Sequence, residues 1–207
     1  MLIVRRALIA AALASRVAPP ERAIARDAAL PDIEQTVYVF DDVPAKALVA
    51  KLGCINLRGR NQISLADLAR EGRYVVLWFF GEGNEADTEL EALNFQRMKP
   101  EFDDLDADIL GCSVQSLARI KQQLVDKQLL TIPFVSDPKE ELISAFGAKP
   151  TFGGDTFRQT FIIAPDGSIR FIERNVQFGV GNFDLKSHAT RVSRELYKVR
   201  NSDGWAV

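Results

Sequence analysis

The chain contains little cysteine and almost no histidine. Among its 207 residues, only Cys54 and Cys112 carry thiols and only His188 carries an imidazole. Two sulfurs are too few for a disulfide framework or an all-sulfur zinc site, and one histidine excludes most histidine-based metal centres. A Ser–His or Cys–His catalytic pair would have to use His188. We therefore expect no metal and no cofactor.

An excess of basic charge and a long apolar run are also absent. Lysine and arginine total 26 against 28 aspartate and glutamate residues, which gives a net charge of -2. Binding to nucleic acid by counterion release needs a basic surface, so we expect no nucleic-acid partner. A membrane-spanning helix needs about 20 apolar residues in succession, and none is present. Hydrophobic residues make up 47% of the chain, which is ordinary for a globular protein.

Residues 1–26 differ in composition from the rest. They hold five arginines, one acidic residue and an apolar run over residues 7–14. A charged start, a short apolar stretch and a small-residue site are typical of a targeting segment, and the alternative is an N-terminal arm. Residues 14–20 resemble the processing motif of complex red-lineage plastids. This favours an organelle, the plastid or its thylakoid lumen, over mitochondrial import or export, although Arg5-Arg6 also resembles a twin-arginine signal.

Apolar runs alternate with amphipathic segments along the remaining chain, which predicts an α/β fold with a central sheet and helices on both faces. We expect a surface extension over 27–54, a folded domain over 55–200 and a tail over 201–207. The predicted strands cover 57–65 as a hairpin, 74–80, 107–114, 132–135, 157–164 and 169–176. The predicted helices cover 66–71, 88–102, 117–127, 138–146 and 184–199.

Short motifs follow one another in an order that carries a family resemblance. They are Ser64-Leu-Ala-Asp-Leu68, Tyr74–Phe80, Glu91-Ala92 with Phe95, Leu110-Gly-Cys-Ser113, Pro133–Asp137, Ala145-Phe-Gly147 and Arg158–Gly167. In this order and spacing the chain resembles the peroxiredoxins of the AhpC/TSA family, most closely the Q or bacterioferritin-comigratory branch, over about residues 55–200. The resemblance implies a thioredoxin-like fold with a mixed sheet, and antioxidant thiol peroxidase chemistry.

The active-site pattern of that family is not complete here. The pattern is Pro-x-x-x-Thr/Ser-x-x-Cys, and the motif around Glu91 fixes its register. In this register the three positions hold Gly81, Glu85 and Thr88, so a threonine stands where the resemblance places the peroxidatic cysteine. A threonine hydroxyl stays protonated near neutral pH and cannot form a sulfenic acid. The position of the resolving cysteine in the Q branch holds Leu93.

Two residues near this position each have two interpretations. Thr88 followed by Glu91 fits a helix capping box, so we expect a cap rather than a catalytic residue. Arg158 matches the family arginine that hydrogen-bonds the thiolate and the peroxide. We expect it to form a structural ion pair with Glu85 or Asp87, and the alternative is a residual site for an anion or peroxide.

The remaining candidate residues lie elsewhere in the sequence. Cys112 is expected in the core, whereas Cys54 precedes the first hairpin, a position open to solvent. A disulfide between Cys54 and Cys112 and a relocated redox thiol are the alternatives to a purely structural role for the two cysteines. His188 is expected on the surface of the last helix. Trp205 in the tail is expected either to contact a partner or to pack on the domain.

These observations lead to three hypotheses on function. The preferred one is a peroxiredoxin-like protein without the catalytic cysteines, a structural or binding subunit of a larger complex such as a plastid photosystem. Its protein partners would bind the N-terminal arm and the tail with Trp205. The alternative is a thiol peroxidase that uses Cys54 or Cys112, and a third is a peroxide sensor that binds its ligand at Arg158.

Overall fold

The computed structural model describes residues 37–81, 85–149, 158–174, 176 and 183–203. All of these lie in the larger of two units, Asp32–Val207. The targeting-like segment, most of the tail and Trp205 lie outside the described residues. Within them, no helix is both long and apolar enough to cross a bilayer.

The described elements alternate between strands and helices. The strands are β1 (Leu52–Leu57), β2 (Arg60–Ile63), β3 (Tyr74–Phe79), β4 (Ala107–Ser113), β5 (Phe134–Ser136), β6 (Thr160–Ile163) and β7 (Ile169–Glu173). The helices are α1 (Ala45–Val49), α2 (Leu65–Arg70), α3 (Glu85–Arg97), α4 (Lys99–Asp104), α5 (Leu117–Ile120) with a π-helical continuation (Lys121–Asp126), α6 (Glu141–Ala145) and α7 (Phe183–Ser202).

The strands form one sheet in the order β2-β1-β5-β4-β3-β6-β7. Its centre is parallel, because β4 pairs in parallel with both β3 and β5. The flanking pairs are antiparallel. Every residue of β3 and β4 is buried, as expected for strands that helices cover on both faces. The mixed sheet that the sequence predicts is therefore confirmed.

Two apolar clusters lie on opposite faces of this sheet. One contains residues of α1, α2 and α6 together with both cysteines. The other contains residues of α3, α4, α5 and α7 packed around Trp78. The ring of Trp78 stacks on Phe95 with centroids 5.0 Å apart, which fixes α3 against the middle of the sheet.

The predicted surface extension contributes to the core. Its last part forms α1 and the start of β1, and Val37, Val43 and Ala47 are buried in the first cluster. The segment has no clear apolar period because α1 is only five residues long and buries a single side chain, Ala47. Short elements of this kind leave little pattern in a sequence.

Two predicted helices differ in detail from the observed ones. The helix expected over 88–102 begins at Glu85 and is divided at Met98, whose backbone adopts φ -85° and ψ 0°. Pro100 explains the break, because it has no backbone N–H and its ring would clash with the carbonyl of Gln96. The helix expected over 117–127 changes from α to π geometry at Lys121.

Candidate functional site

Thr88 lies in the second turn of α3, just beyond the carboxyl end of β3. Strand β3 leads through the buried residues Phe80 and Gly81 towards α3. Because α3 begins at Glu85, Thr88 is inside the helix, and the predicted cap at Thr88 is wrong. The Thr88 side chain is turned inward, with 5% of the residue exposed.

Arg158 lies directly before β6 and reaches the inner side of α3. It is 5% exposed, and its Nη2 donates to Thr88 Oγ1 at 2.5 Å. Its Nη1 donates to Glu91 Oε2. The predicted ion pair of Arg158 is therefore present, but its predicted partners, Glu85 or Asp87, are wrong. Glu91 lies on the same inner face as Thr88, three residues along the helix, whereas Glu85 accepts from Gln123 Nε2 at 2.7 Å.

His188 completes a buried polar network with these residues. Its Nδ1 lies 2.8 Å from Glu91 Oε1, and its Nε2 lies 3.1 Å from Thr160 Oγ1. Since the carboxylate can only accept, Nδ1 donates to Glu91. Nε2 faces the Thr160 hydroxyl, and Glu173 Oε2 lies 3.7 Å from the same nitrogen. His188 and Glu91 are each 1% exposed, so the predicted surface position of His188 is wrong.

A helical period in the sequence could have indicated the burial of His188. Leu185, Ala189, Val192 and Leu196 recur at helical spacing and are buried along α7. His188 lies on the same face of the helix. Its ring packs edge-on against Phe95, with centroids 5.3 Å apart. The helical period of apolar residues therefore predicts that His188 is buried, but it does not identify Glu91 as its hydrogen-bond partner.

The charges of this network balance one another. Both oxygens of Glu91 are engaged, one by Arg158 and the other by His188. Buried charges are tolerated when they are paired and hydrogen-bonded in this way. The described cavity beside Thr88 has a volume of about 10 Å³, about the minimum needed to hold one water molecule.

The outer side of α3 is tied to the segment that contains the π-helix. Glu89 forms a salt bridge with Lys127 and accepts a hydrogen bond from Gln128 Nε2 at 2.8 Å. Glu85 is bonded to Gln123 as described above. The remaining predicted position, Leu93, is half-buried and packs against the second apolar cluster.

Cys54 and Cys112 lie within the sheet, on the face opposite to α3. Both are buried and free, so the exposed position considered for Cys54 is wrong and the alternative of a disulfide with Cys112 is not present. Strand β5 lies between the strands that carry the two cysteines. Its residue Val135 is the register partner of Cys54 in β1 and of Cys112 in β4. Two strand spacings separate them by roughly 9.5 Å, whereas a disulfide joins Cα atoms less than about 7 Å apart.

The environment of both thiols opposes ionisation. Burial raises the pKa of Cys54, and the nearby charge of Arg60 offsets this only in part. Burial raises the pKa of Cys112 well above its usual value, and the carboxylate of Asp137 raises it further. Reactive cysteines have the opposite surroundings, partly exposed and electropositive. In the part of the chain that the structure describes, no group of three or more His, Cys, Asp or Glu side chains is arranged to hold a metal ion.

Sequence comparison finds peroxiredoxins among similar proteins. The chain is 32% identical to Peroxiredoxin Bcp of Xanthomonas campestris pv. campestris over 146 residues, which cover 65% of this chain and 89% of that protein. It is 28% identical to a putative peroxiredoxin of Mycobacterium tuberculosis over 142 residues, covering 66% and 84% of the two chains.

The comparison of structures agrees with the sequence. A crystal structure of a cysteine-to-serine variant of PrxQ from Xylella fastidiosa superposes with a TM-score of 0.67 and 26% identity, covering 79% of this chain and 98% of that one. The AhpC/TSA family matches residues 39–172, which include α1 and extend to β7. The chain therefore belongs to the AhpC/TSA family and has the thioredoxin-like fold of the peroxiredoxins.

Proposed function

We propose that this protein is a peroxiredoxin-like protein that does not reduce peroxide and serves as a binding or structural subunit. One observation carries the proposal. The Thr88 hydroxyl accepts a hydrogen bond from Arg158, which also pairs with the buried carboxylate of Glu91. The family resemblance places the reactive thiol at this position.

The chemistry of the network supports an inert role. Peroxide reduction transfers one oxygen atom to a thiolate, which becomes a sulfenic acid while the peroxide leaves as water or an alcohol. A threonine oxygen cannot accept that atom. As a nucleophile of another kind, Thr88 would need an adjacent base. The ring nitrogens of His188 are both engaged, by Glu91 and Thr160, so neither of them serves Thr88 as a base.

The second candidate is a thiol peroxidase that uses Cys54 or Cys112. Family membership favours it, since relatives of this chain are named peroxiredoxins. The surroundings of both cysteines weigh against it, because both thiols are buried and have a raised pKa. A peroxide would have to enter the core of the sheet to reach either sulfur. The third candidate, a peroxide sensor at Arg158, is disfavoured by the engagement of that side chain with Glu91 and Thr88.

The binding role rests on surface features. Tyr38 and Phe40 are 66% and 73% exposed at the start of the described chain. Aromatic side chains are enriched at protein interfaces. The arginine-rich residues 1–26 and Trp205 add two further candidate contacts in the sequence. We propose an organelle complex, of a plastid photosystem type, as the host. Elution of the native protein from its source at the size of a single chain would count against this assignment.

The test of the missing chemistry is peroxide consumption by the full chain in the presence of excess dithiol. We expect no turnover above the background without protein. The Thr88→Cys variant should react with peroxide faster than an Ala86→Cys variant. Both changes lie in the first turns of α3, but Ala86 is exposed and Thr88 contacts Arg158, which favours a thiolate.

Each arm of this experiment has an outcome that contradicts the proposal. Turnover by the parent chain would show that it is an enzyme, and the Cys54→Ser, Cys112→Ser double variant would then show whether those thiols are responsible. Equal rates for the Thr88→Cys and Ala86→Cys variants would show that Thr88 does not occupy the reactive position of the family.

A further inference from the structure

Phe40 holds its ring outward at a backbone position that suits glycine better. Its φ is 73°, an outlier for a bulky residue. Phe40 and Asp41 together oppose Ile169 in a β-bulge. The Phe40 N–H donates to the Ile169 carbonyl at 2.6 Å, and the Ile169 N–H donates to the Asp41 carbonyl at 2.8 Å. Because glycine usually occupies the first position of such a bulge, a phenylalanine there costs conformational free energy.

The turn that carries this ring is fixed by further hydrogen bonds. The Asp41 N–H donates to the Tyr38 carbonyl at 3.1 Å, and the Asp41 carboxylate accepts from the Tyr38 N–H at 2.7 Å. Tyr38, Val39 and Phe40 are nevertheless exposed. We call these three residues the 38–40 turn. It presents adjacent apolar side chains to solvent on a backbone that is held in place.

Arg170 connects the 38–40 turn to the end of α7. Its Cζ lies 5.4 Å from the centre of the Phe40 ring, within the range of a cation–π contact. The same guanidinium forms an ion pair with Asp203, which follows α7 directly. The Tyr74 hydroxyl donates to Asp203 at 2.9 Å from another side. Phe40 and Asp203 therefore contact one common side chain, and the position of Asp203 is fixed.

Trp205 follows Asp203 by two residues. Two residues of extended chain span at most roughly 7 Å. The residue between them is Gly204, and glycine permits the left-handed backbone that turns a chain after a helix. The indole of Trp205 is thus within reach of the Phe40 ring. Aromatic rings attract each other in offset and edge-on arrangements, and their contact buries a large apolar area.

We propose that the chain after Asp203 folds over the 38–40 turn and that the indole of Trp205 packs on the ring of Phe40. The contact accounts for a bulky ring at a position that favours glycine. It covers apolar side chains of the turn that the described residues leave exposed. It also brings Trp205 and the 38–40 turn, both candidate binding surfaces, into one surface, and it does not depend on the chemistry of Thr88.

The test is ¹⁹F NMR of the full chain labelled with 5-fluorotryptophan. The sequence has two tryptophans, Trp78 and Trp205, so two signals are expected, and a Trp205→Phe variant assigns them. Trp78 is fully buried, and its signal reports whether each variant is folded. In the folded parent chain we expect the Trp205 signal to be shifted from its position in the urea-unfolded chain, and to move less than the unfolded signal when H₂O is replaced by D₂O.

Substitution of Phe40 should abolish this shift. Phe40→Gly removes the ring and suits the positive φ, so the turn should persist while the Trp205 signal moves to its unfolded position. Phe40→Asn provides the same comparison if the glycine variant does not fold, because asparagine also tolerates this conformation.

Tyr197→Ala is the matched control. Tyr197 is an exposed aromatic residue of α7 that lines the groove against Leu105 of the α4 side. It lies six residues before Asp203, about 9 Å along the helix at 1.5 Å per residue. The groove is therefore the competing place for the indole, and this variant should leave the Trp205 signal unchanged.

Three results would overturn the proposal. The first is a Trp205 signal of the folded parent chain at its unfolded position. The second is a shifted signal that stays in place when Phe40 is replaced. The third is a response to Tyr197→Ala as large as the response to Phe40→Gly, which would place the indole in the groove between α4 and α7.

Discussion

Glu91 and His188 face each other in a position that solvent does not reach, with Glu91 Oε1 2.8 Å from His188 Nδ1. The contact joins α3 to α7, the last helix, across 97 positions of the chain. Through Glu91 it also reaches Arg158 and Thr88. His188 therefore helps to position Glu91, and through it the candidate site, from a helix that is distant in the sequence. Its role in the site is structural.

Replacement of His188 by leucine should destabilise the protein by about 3 kcal/mol. The change leaves Glu91 Oε1 and the Thr160 hydroxyl without their partner in a buried place, where unpaired polar groups are costly. Urea unfolding of both proteins, followed by far-UV circular dichroism, measures the difference.

The matched control for this prediction is Arg194→Gln on the same helix. Arg194 is exposed, so its replacement should change the free energy of unfolding by less than about 0.5 kcal/mol. Equal stability of the His188→Leu variant and the parent would show that the network contributes nothing to the fold.

Stability should fall with rising pH above the ordinary thiol pKa of about 8.5, and Cys112 should account for part of the fall. Burial, followed by Asp137, raises the pKa of Cys112, so the folded state keeps the proton that the unfolded chain releases. The unfolded state then binds fewer protons, and each pH unit above this point costs up to about 1.4 kcal/mol for this thiol.

Urea unfolding at pH 8, 9 and 10 tests this dependence. Other groups also titrate in this range, so the informative quantity is the difference between the parent and a Cys112→Ala variant. The parent should lose more stability between pH 8 and pH 10 than the variant does. Parallel curves would mean that Cys112 ionises in the folded protein as easily as in the unfolded chain.

The sequence predicts the sheet better than it predicts the site, for a physical reason. Strands such as β3 and β4 are buried on both faces, so their apolar runs appear directly in the sequence. The partner of Arg158 depends instead on which inward-facing carboxylate α3 presents. Arg158 and Glu91 are 67 positions apart, and no local pattern encodes their contact. The predicted start of α3 at Thr88 is wrong for the same reason, because the side chains of Thr88 and Glu91 bond Arg158 and do not cap the helix.

Ser64 should stabilise α2 as a helix cap. Its hydroxyl accepts from the Asp67 backbone N–H at 3.2 Å, while the Asp67 carboxylate accepts from the Ser64 backbone N–H at 3.0 Å, a reciprocal capping box. Ser64→Ala should cost about 1 kcal/mol. Ser116→Ala is the comparison, because it caps the shorter α5 without a reciprocal carboxylate and should cost less. A larger loss for Ser116→Ala in urea unfolding would contradict this ranking.

Alanine should destabilise the protein more at one of two glycines than at the other, because the side chains around the two positions differ in how easily they can move. A Cβ at Gly111 in β4 would lie 2.8 Å from Phe134 Cδ1 and 2.9 Å from Trp78 Cζ2, both atoms of buried rings. A Cβ at Gly53 would lie 2.9 Å from Leu117 Cδ1, the end of a flexible side chain that can rotate away. We expect Gly111→Ala to cost about 2 kcal/mol, as overpacked cores do, and Gly53→Ala to cost less than half as much. Thermal unfolding of the two variants gives the comparison directly, and equal losses would mean that the rings around Gly111 yield as easily as Leu117 does.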